Sequence, residues 1–168
     1  MHGNAGPFDI NLALTGSVGI ECRTTGGTND YTIIATFWGA VTVNGNPQAQ
    51  VTSGTGTIGS GGVSNGGTVT ISGNTVTIPL TNVANAQTIN VTLFGVNGSG
   101  NVVLPMGVLV GDVNANRTVN AADVAQTKSR IGQPVDQTNF RSDVNANGSI
   151  NAADTAIVKQ NSGTSLPP

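Results

Sequence analysis

The chain contains one cysteine, Cys22, and one histidine, His2, among 168 residues. A lone cysteine closes no internal disulfide, and a lone histidine builds neither a histidine metal site nor a catalytic triad by itself. Charged residues are scarce too, at 8% of the chain against the ~25% usual in globular domains. Without a basic patch nothing displaces counterions from a phosphate backbone, which disfavours nucleic-acid binding. The sparse, mixed charge also argues against a disordered acidic or basic tail. No lysine precedes Lys128, so an internal isopeptide crosslink has no amine in the first half. No apolar run approaches the ~18–20 residues of a membrane helix. Met1-His2-Gly3 opens without the basic and apolar regions of a signal peptide. Most enzyme classes are disfavoured by these absences, and the chain reads as non-catalytic.

The charges that are present fall unevenly. From Met1 to Gly111 they are Asp9, Glu21, Arg23 and Asp30, whereas Asp112 to Pro168 holds five acids and five bases. The composition breaks at Gly111, giving an expected domain 1–110 and an expected domain 111–168. The first reads as strands. Phe8 to Leu14 alternates apolar and polar residues with period two, as do Tyr31 to Phe37 and Ile89 to Leu93. Val69 to Ile71 and Val76 to Leu80 flank Gly73-Asn74, a hairpin turn pair, and Val102 to Val110 forms a last strand. Pro79 cannot donate to a ladder, so an edge or a bulge is expected there. About seven strands at ten-residue spacing, joined by Gly, Asn, Ser and Thr, predict an immunoglobulin-like β-sandwich.

This half offers little chemistry. The Gly-rich stretch Gly54 to Gly67 is followed by no helix, which argues against a phosphate cradle. Asp9, Glu21 and Asp30 read as surface acids, and Cys22 as a buried or half-buried thiol. Trp38, beside Phe37 and near Tyr31, could stack on a sugar, but strand neighbours face opposite sides, so Phe37 and Trp38 cannot both enter the core.

The second half repeats itself. Asp112-Val-Asn-Ala-Asn-Arg-Thr-Val-Asn-Ala-Ala-Asp123 recurs 31 residues later as Asp143-Val-Asn-Ala-Asn-Gly-Ser-Ile-Asn-Ala-Ala-Asp154, with nine of twelve positions identical. Oxygen-bearing residues stand at positions 1, 3, 5, 9 and 12 of both copies. Ca²⁺ takes six to eight oxygen ligands at about 2.3–2.6 Å, and a tight twelve-residue loop supplies them at alternate positions. Side-chain ligands are expected from Asp112, Asn114 and Asn116, and a backbone carbonyl from Thr118. Asn120 would ligate directly or through water, with Asp123 closing the shell. Asp143, Asn145, Asn147, Ser149, Asn151 and Asp154 take the same roles in the second loop. Val119 and Ile150, at position 8, are expected to pair the loops. A short helix follows each loop, from Ala121 to about Lys128 and from Ala152 to about Asn161, stopped by Gly132 with Pro134 and by Gly163. No helix precedes the first loop.

The motif Asp-x-Asn-x-Asn-Gly-x-x-Asn-x-x-Asp, twice with a helix and linker between, resembles a type I dockerin domain over about Gly111 to Leu166. The resemblance implies a small all-α domain of two half EF-hands with a connecting helix near Gln137 to Ser142. It implies two bound Ca²⁺ ions and a cohesin domain as partner. Family partner choice is read at loop positions 10 and 11 and further along the helix. These are Ala121, Ala122, Lys128 and Ser129 in one copy, and Ala152, Ala153, Lys159 and Gln160 in the other. The preceding strands are similar to the X-module that accompanies such domains in secreted bacterial proteins, and Met1 is read as the start of a C-terminal piece. Two departures stand out. Position 5 is Asn116 or Asn147 rather than Asp, and Arg117 replaces the glycine of position 6, so the first site is expected to be the weaker. A calcium-stabilised cap or spacer without a cohesin partner, and a carbohydrate-binding sandwich, are the other readings.

Overall fold

A computed structural model of the chain describes residues 2–25, 29–59, 66–98 and 100–168. Among them the strands are β1 (Ile20–Glu21), β2 (Tyr31–Thr36), β3 (Ala49–Ser53), β4 (Thr57–Ile58), β5 (Gly66–Gly67), β6 (Thr70–Ser72), β7 (Thr75–Thr81), β8 (Gln87–Val96) and β9 (Gly100–Val108). The helices are α1 (Ala121–Ser129) and α2 (Ala152–Gln160), with 3-10 turns at Gly3–Ala5 and Phe140–Ser142. Two compact units form. The central one is Asp30–Ala84 with Ile89–Pro105, and the terminal one is Met1–Asn29 with Asn85–Thr88 and Met106–Pro168.

In the central unit β7 pairs antiparallel with β2, β4 and β6. Ser72 opposite Thr75 closes the expected hairpin across Gly73-Asn74. Gly73 takes the left-handed backbone (φ 59°) that Gly at the first turn position supplies. β7 lies between β2 and β4, so Pro79 is on an inner strand, not an edge. Its carbonyl accepts the Gly59 N–H at 2.9 Å just past the end of β4, so the missing donor falls where no ladder bond is required. Val76, Ile78 and Leu80 point inward and are fully buried, with Ile89, Val91 and Leu93 of β8. Each such side chain contributes on the order of 2 kcal/mol.

In the terminal unit β1 pairs parallel with the end of β9. The ladder continues through Leu109 N–H to Glu21 O and Gly111 N–H to Cys22 O, both 2.9 Å. Ile20, Leu109, Val110, Val113, Val119, Val144, Val158 and Leu166 form one buried cluster.

The expected split into a seven-strand immunoglobulin-like sandwich and an all-α domain does not hold. The strands form mixed pairings, parallel at β1 and antiparallel elsewhere among the described pairs. The unit that carries both helices also carries β1, the end of β9 and a Thr118–Ser165 bridge. Phe8 to Leu14 forms no strand, although Phe8, Ile10 and Leu12 are more buried than the residues between them. Alternation marks a face, but a strand also needs a paired neighbour. The connecting helix shrinks to the single 3-10 turn at Phe140–Ser142. The compositional break at Gly111 tracks charge, whereas the apolar core runs through it, joining Leu109 and Val110 to Val113 and Val119.

Candidate metal centre

The loop 112–123 folds back on its own first side chain. Asp112 Oδ1 accepts the Asn116 N–H and Oδ2 the Arg117 N–H, each at 3.0 Å. Asn116 Oδ1 in turn accepts the N–H and hydroxyl of Thr118, at 2.9 and 2.8 Å. From the first turn of α1, Asp123 reaches back to the N–H groups of Asn114 (3.3 Å) and Asn120 (2.9 Å). The reversal needs left-handed backbone at Ala115 (φ 59°) and Arg117 (φ 73°). The second loop reproduces it. Asp143 accepts from Asn147 and Gly148, Asn147 from Ser149, and Asp154 from Asn145 and Asn151. Its left-handed residues are Ala146 (φ 55°) and Gly148 (φ 90°).

Each loop runs into its helix through a capping box. Asn120 and Asn151 are the N-caps, accepting the N–H of Ala122 and Ala153, while Asp123 and Asp154 return a carboxylate to the cap N–H. The asparagine at position 9 thus serves as a helix cap, a role that the ligand pattern alone did not suggest. Val119 and Ile150 are both buried. The Val119 carbonyl accepts from Gly163, after α2, and the Ile150 carbonyl from Gly132, after α1. The repeats therefore interlock crosswise, each position-8 residue held by the stop of the opposite helix.

Asp112, Asp123, Asp143 and Asp154 are all fully buried, and among the described residues no lysine or arginine forms a salt bridge with any of them. Burial pushes Asp112 and Asp154 above the usual carboxylate range, and the neighbouring Asp123 and Asp143 add to the push. Backbone N–H groups only partly offset it. The Arg141 guanidinium eases Asp112 from a distance, but buried anions arranged in pairs stay costly unless a cation meets them directly. The other donors are amide, hydroxyl and carbonyl oxygens, the hard set that Ca²⁺ prefers. Among the described residues no three His, Cys, Asp or Glu side chains gather as a metal site; with two carboxylates per loop, a site here must draw on asparagine and backbone oxygen.

Residues 110–161 match the family model of the dockerin type I domain. The match spans 52 of the 168 residues, and over them the chain is similar to type I dockerin domains. No curated protein and no solved structure matches the chain. Dockerins are calcium-binding, non-catalytic docking modules whose partners are cohesin domains, and the oxygen-lined loops of this segment fit that ion. On its helices Ala121, Ala122, Lys128 and Ser129 are exposed, as are Ala152, Ala153, Lys159 and Gln160.

The remaining candidates resolve simply. Trp38 is fully exposed while Tyr31 is buried, so the two do not share an aromatic platform. Asp30 accepts the Asn82 N–H, and Glu21 pairs with Arg23. Of the Gly54 to Gly67 stretch, residues 60–65 lie outside the described residues. Cys22 is fully buried, its thiol pushed up to about 12 chiefly by desolvation. Among the described residues no helix is long and apolar enough to cross a membrane.

Two supports of these loops escaped the sequence reading. Arg141 donates to the carbonyls of Asp112 (2.8 Å), Val113 (3.1 Å) and Ile20 (2.9 Å), bracing the entry of the first loop. His2 Nδ1 meets Asp143 Oδ2 at 2.7 Å, across 141 positions. Neither follows a local period, and no sequence signal marks the pairing.

Proposed function

We propose that residues 111–168 act as a calcium-dependent docking module that binds a cohesin domain, with the strand-rich residues 1–110 as its accessory region. The module holds two Ca²⁺ ions. In the first loop Asp112, Asn114, Asn116 and Asp123 offer side-chain oxygens and Thr118 its carbonyl; Asp143, Asn145, Asn147, Asp154 and Ser149 do so in the second. Asn120 and Asn151 sit at the rim, engaged as helix caps. The observation that carries this reading is the pair of buried carboxylates at positions 1 and 12 of each loop, none of them in a salt bridge with lysine or arginine among the described residues. Two of them per loop balance one divalent ion. Docking falls to the exposed starts and ends of α1 and α2, where small Ala121, Ala122, Ala152 and Ala153 permit close approach and Lys128 and Lys159 supply rim charge. The near-identity of the two faces supports binding in two orientations. The module works outside the cell.

Because ligand geometry and folding are coupled, metal binding stabilises by mass action. Excess chelator is expected to lower the melting temperature of the chain, and titration against a cohesin panel should give heat only with calcium present. A melt indifferent to chelator sinks the calcium reading.

A second reading, a calcium-stabilised cap or spacer with no cohesin partner, is favoured by how tightly the loops are tied into their own unit. Asn85 bridges Asn161 (2.9 Å) and the Val110 N–H (2.8 Å), and Arg117 binds the Pro167 carbonyl (2.7 Å). Calcium-dependent stability without heat against any cohesin selects it.

A further inference from the structure

Among the described residues the second loop has a partner that the first lacks. His2 is fully buried, edge-on to Phe8 (centroids 5.1 Å) and Phe140 (5.9 Å), which stack on each other at 5.4 Å. Arg23 donates from Nη1 to His2 Nε2 at 2.7 Å and to the Phe8 carbonyl at 2.8 Å, while Glu21 takes its Nε and Nη2. An arginine has no acceptor, so Nε2 must accept, the proton resides on Nδ1, and Nδ1–H donates to Asp143 Oδ2. The fit is close on the backbone as well. A Cβ on Gly148 would lie 2.8 Å from the His2 carbonyl, and one on Gly3 2.5 Å from that of Asn147.

Counting lone pairs shows what this does. Asp143 Oδ2 accepts from His2 and from the Gly148 N–H (2.8 Å), which fills it, whereas Oδ1 accepts only the Asn147 N–H (3.1 Å). At Asp112 each oxygen accepts a single backbone N–H. His2 thus designates which Asp143 oxygen remains available to an ion and fixes the carboxylate's rotation. We infer that His2 is a positioning residue of the second calcium loop, so that the affinity of that site depends on an N-terminal segment lying outside the dockerin match. This rests on the calcium reading above. Donors that orient a ligand from outside the coordination shell typically change metal affinity by 10–100-fold.

The test is a calcium titration of the full chain by NMR, following the Gly148 and Arg117 amides as separate reporters of the two loops. His2→Phe keeps a ring against Phe8 and Phe140 but removes the donor. It is expected to raise the Gly148 midpoint about tenfold while leaving the Arg117 midpoint in place. His2→Asn, with an amide N–H at the position of Nδ1, is expected to recover most of that loss. A purely structural role predicts equal shifts at both loops and no recovery, and either result overturns the inference. The wild type supplies an independent reading should a variant fail to fold. Its His2 ring must carry the proton on Nδ1, and that proton signal must move with the Gly148 amide as calcium is added; an Nε2-protonated or calcium-indifferent ring overturns the inference. A wild-type Gly148 amide that ignores calcium overturns the calcium reading itself. A wild-type response that His2→Phe leaves unchanged overturns only the role of His2.

Discussion

Loops 112–123 and 143–154 share nine of twelve residues, the same capping boxes and the same left-handed turns at positions 4 and 6. They differ in what surrounds them. The first is braced through its backbone, by Arg141 on the Asp112 and Val113 carbonyls and by Leu166 N–H on the Arg117 carbonyl (3.0 Å). The second is braced through its backbone as well, by Thr24 N–H on the Val144 carbonyl (2.7 Å), and in addition through its leading carboxylate, by His2. A duplicated motif can therefore keep one set of local bonds and still yield two unequal sites. Backbone bracing holds a loop's path, whereas a donor on the carboxylate also selects the oxygen that stays free.

The largest expected effect separates the two leading aspartates. Asp143→Ala removes the acceptor of a buried imidazole N–H as well as two backbone N–H groups, while Asp112→Ala releases backbone groups only. A buried donor left unsatisfied costs about 1–3 kcal/mol, so Asp143→Ala should lose about that much more stability in urea unfolding with chelator present. Equal losses would erase the distinction between the loops. A middle-sized effect is expected at position 6. Gly148→Ala meets both a left-handed φ of 90° and the His2 carbonyl, and should cost about 1–2 kcal/mol in the same urea unfolding. Arg117→Gly relieves a left-handed residue costing about 1–2 kcal/mol but adds glycine's backbone entropy of roughly 0.5–1 kcal/mol and loses the bond to Pro167. The net change should stay within about 1 kcal/mol. A costly Arg117→Gly would mean that the first loop depends on the Pro167 bond more than on backbone relief.

The loops were legible because the turn and cap bonds that shape them lie within twelve residues. Asp, Asn and Asn at odd positions, then Asp on the first helical turn, put acceptors and left-handed residues in one short stretch. The hairpin at Gly73-Asn74 was legible for the same reason. What was not legible joins distant segments. Phe8 to Leu14 has a strand's alternation, yet Phe8 stacks on Phe140 instead of entering a ladder. The cluster that joins Leu109 and Val110 to Val144 and Val158 spans the charge break at Gly111, and charge pattern carries no record of such packing. His2 looked inert because a lone histidine has no chemistry until a carboxylate and an arginine are brought to its two nitrogens, and only the fold brings them.

The smallest change is expected at Cys22, and it tests whether the two loops open separately. Its carbonyl holds the Gly111 N–H (2.9 Å) at the entry to the first loop, and its thiol lies 3.6 Å from the Arg141 carbonyl, shortly before the second. The thiolate is the reactive form. With the thiol at about 12 instead of 9.0, its thiolate fraction at pH 8 falls by about 1,000-fold, and burial closes it off besides. The native chain should therefore not react with a thiol reagent at pH 8 over hours, with calcium or without, until denaturant opens the terminal unit. Reaction that sets in on calcium removal, persists in His2→Phe and is suppressed in Arg117→Gly would locate the opening at the first loop alone. The loops would then be two independent elements, and the comparison between them would concern local strain at Arg117 more than the bond from His2. Silence at Cys22 under all native conditions means that both loops share one cooperative core, so a difference in calcium affinity between them must arise in the carboxylates' own surroundings.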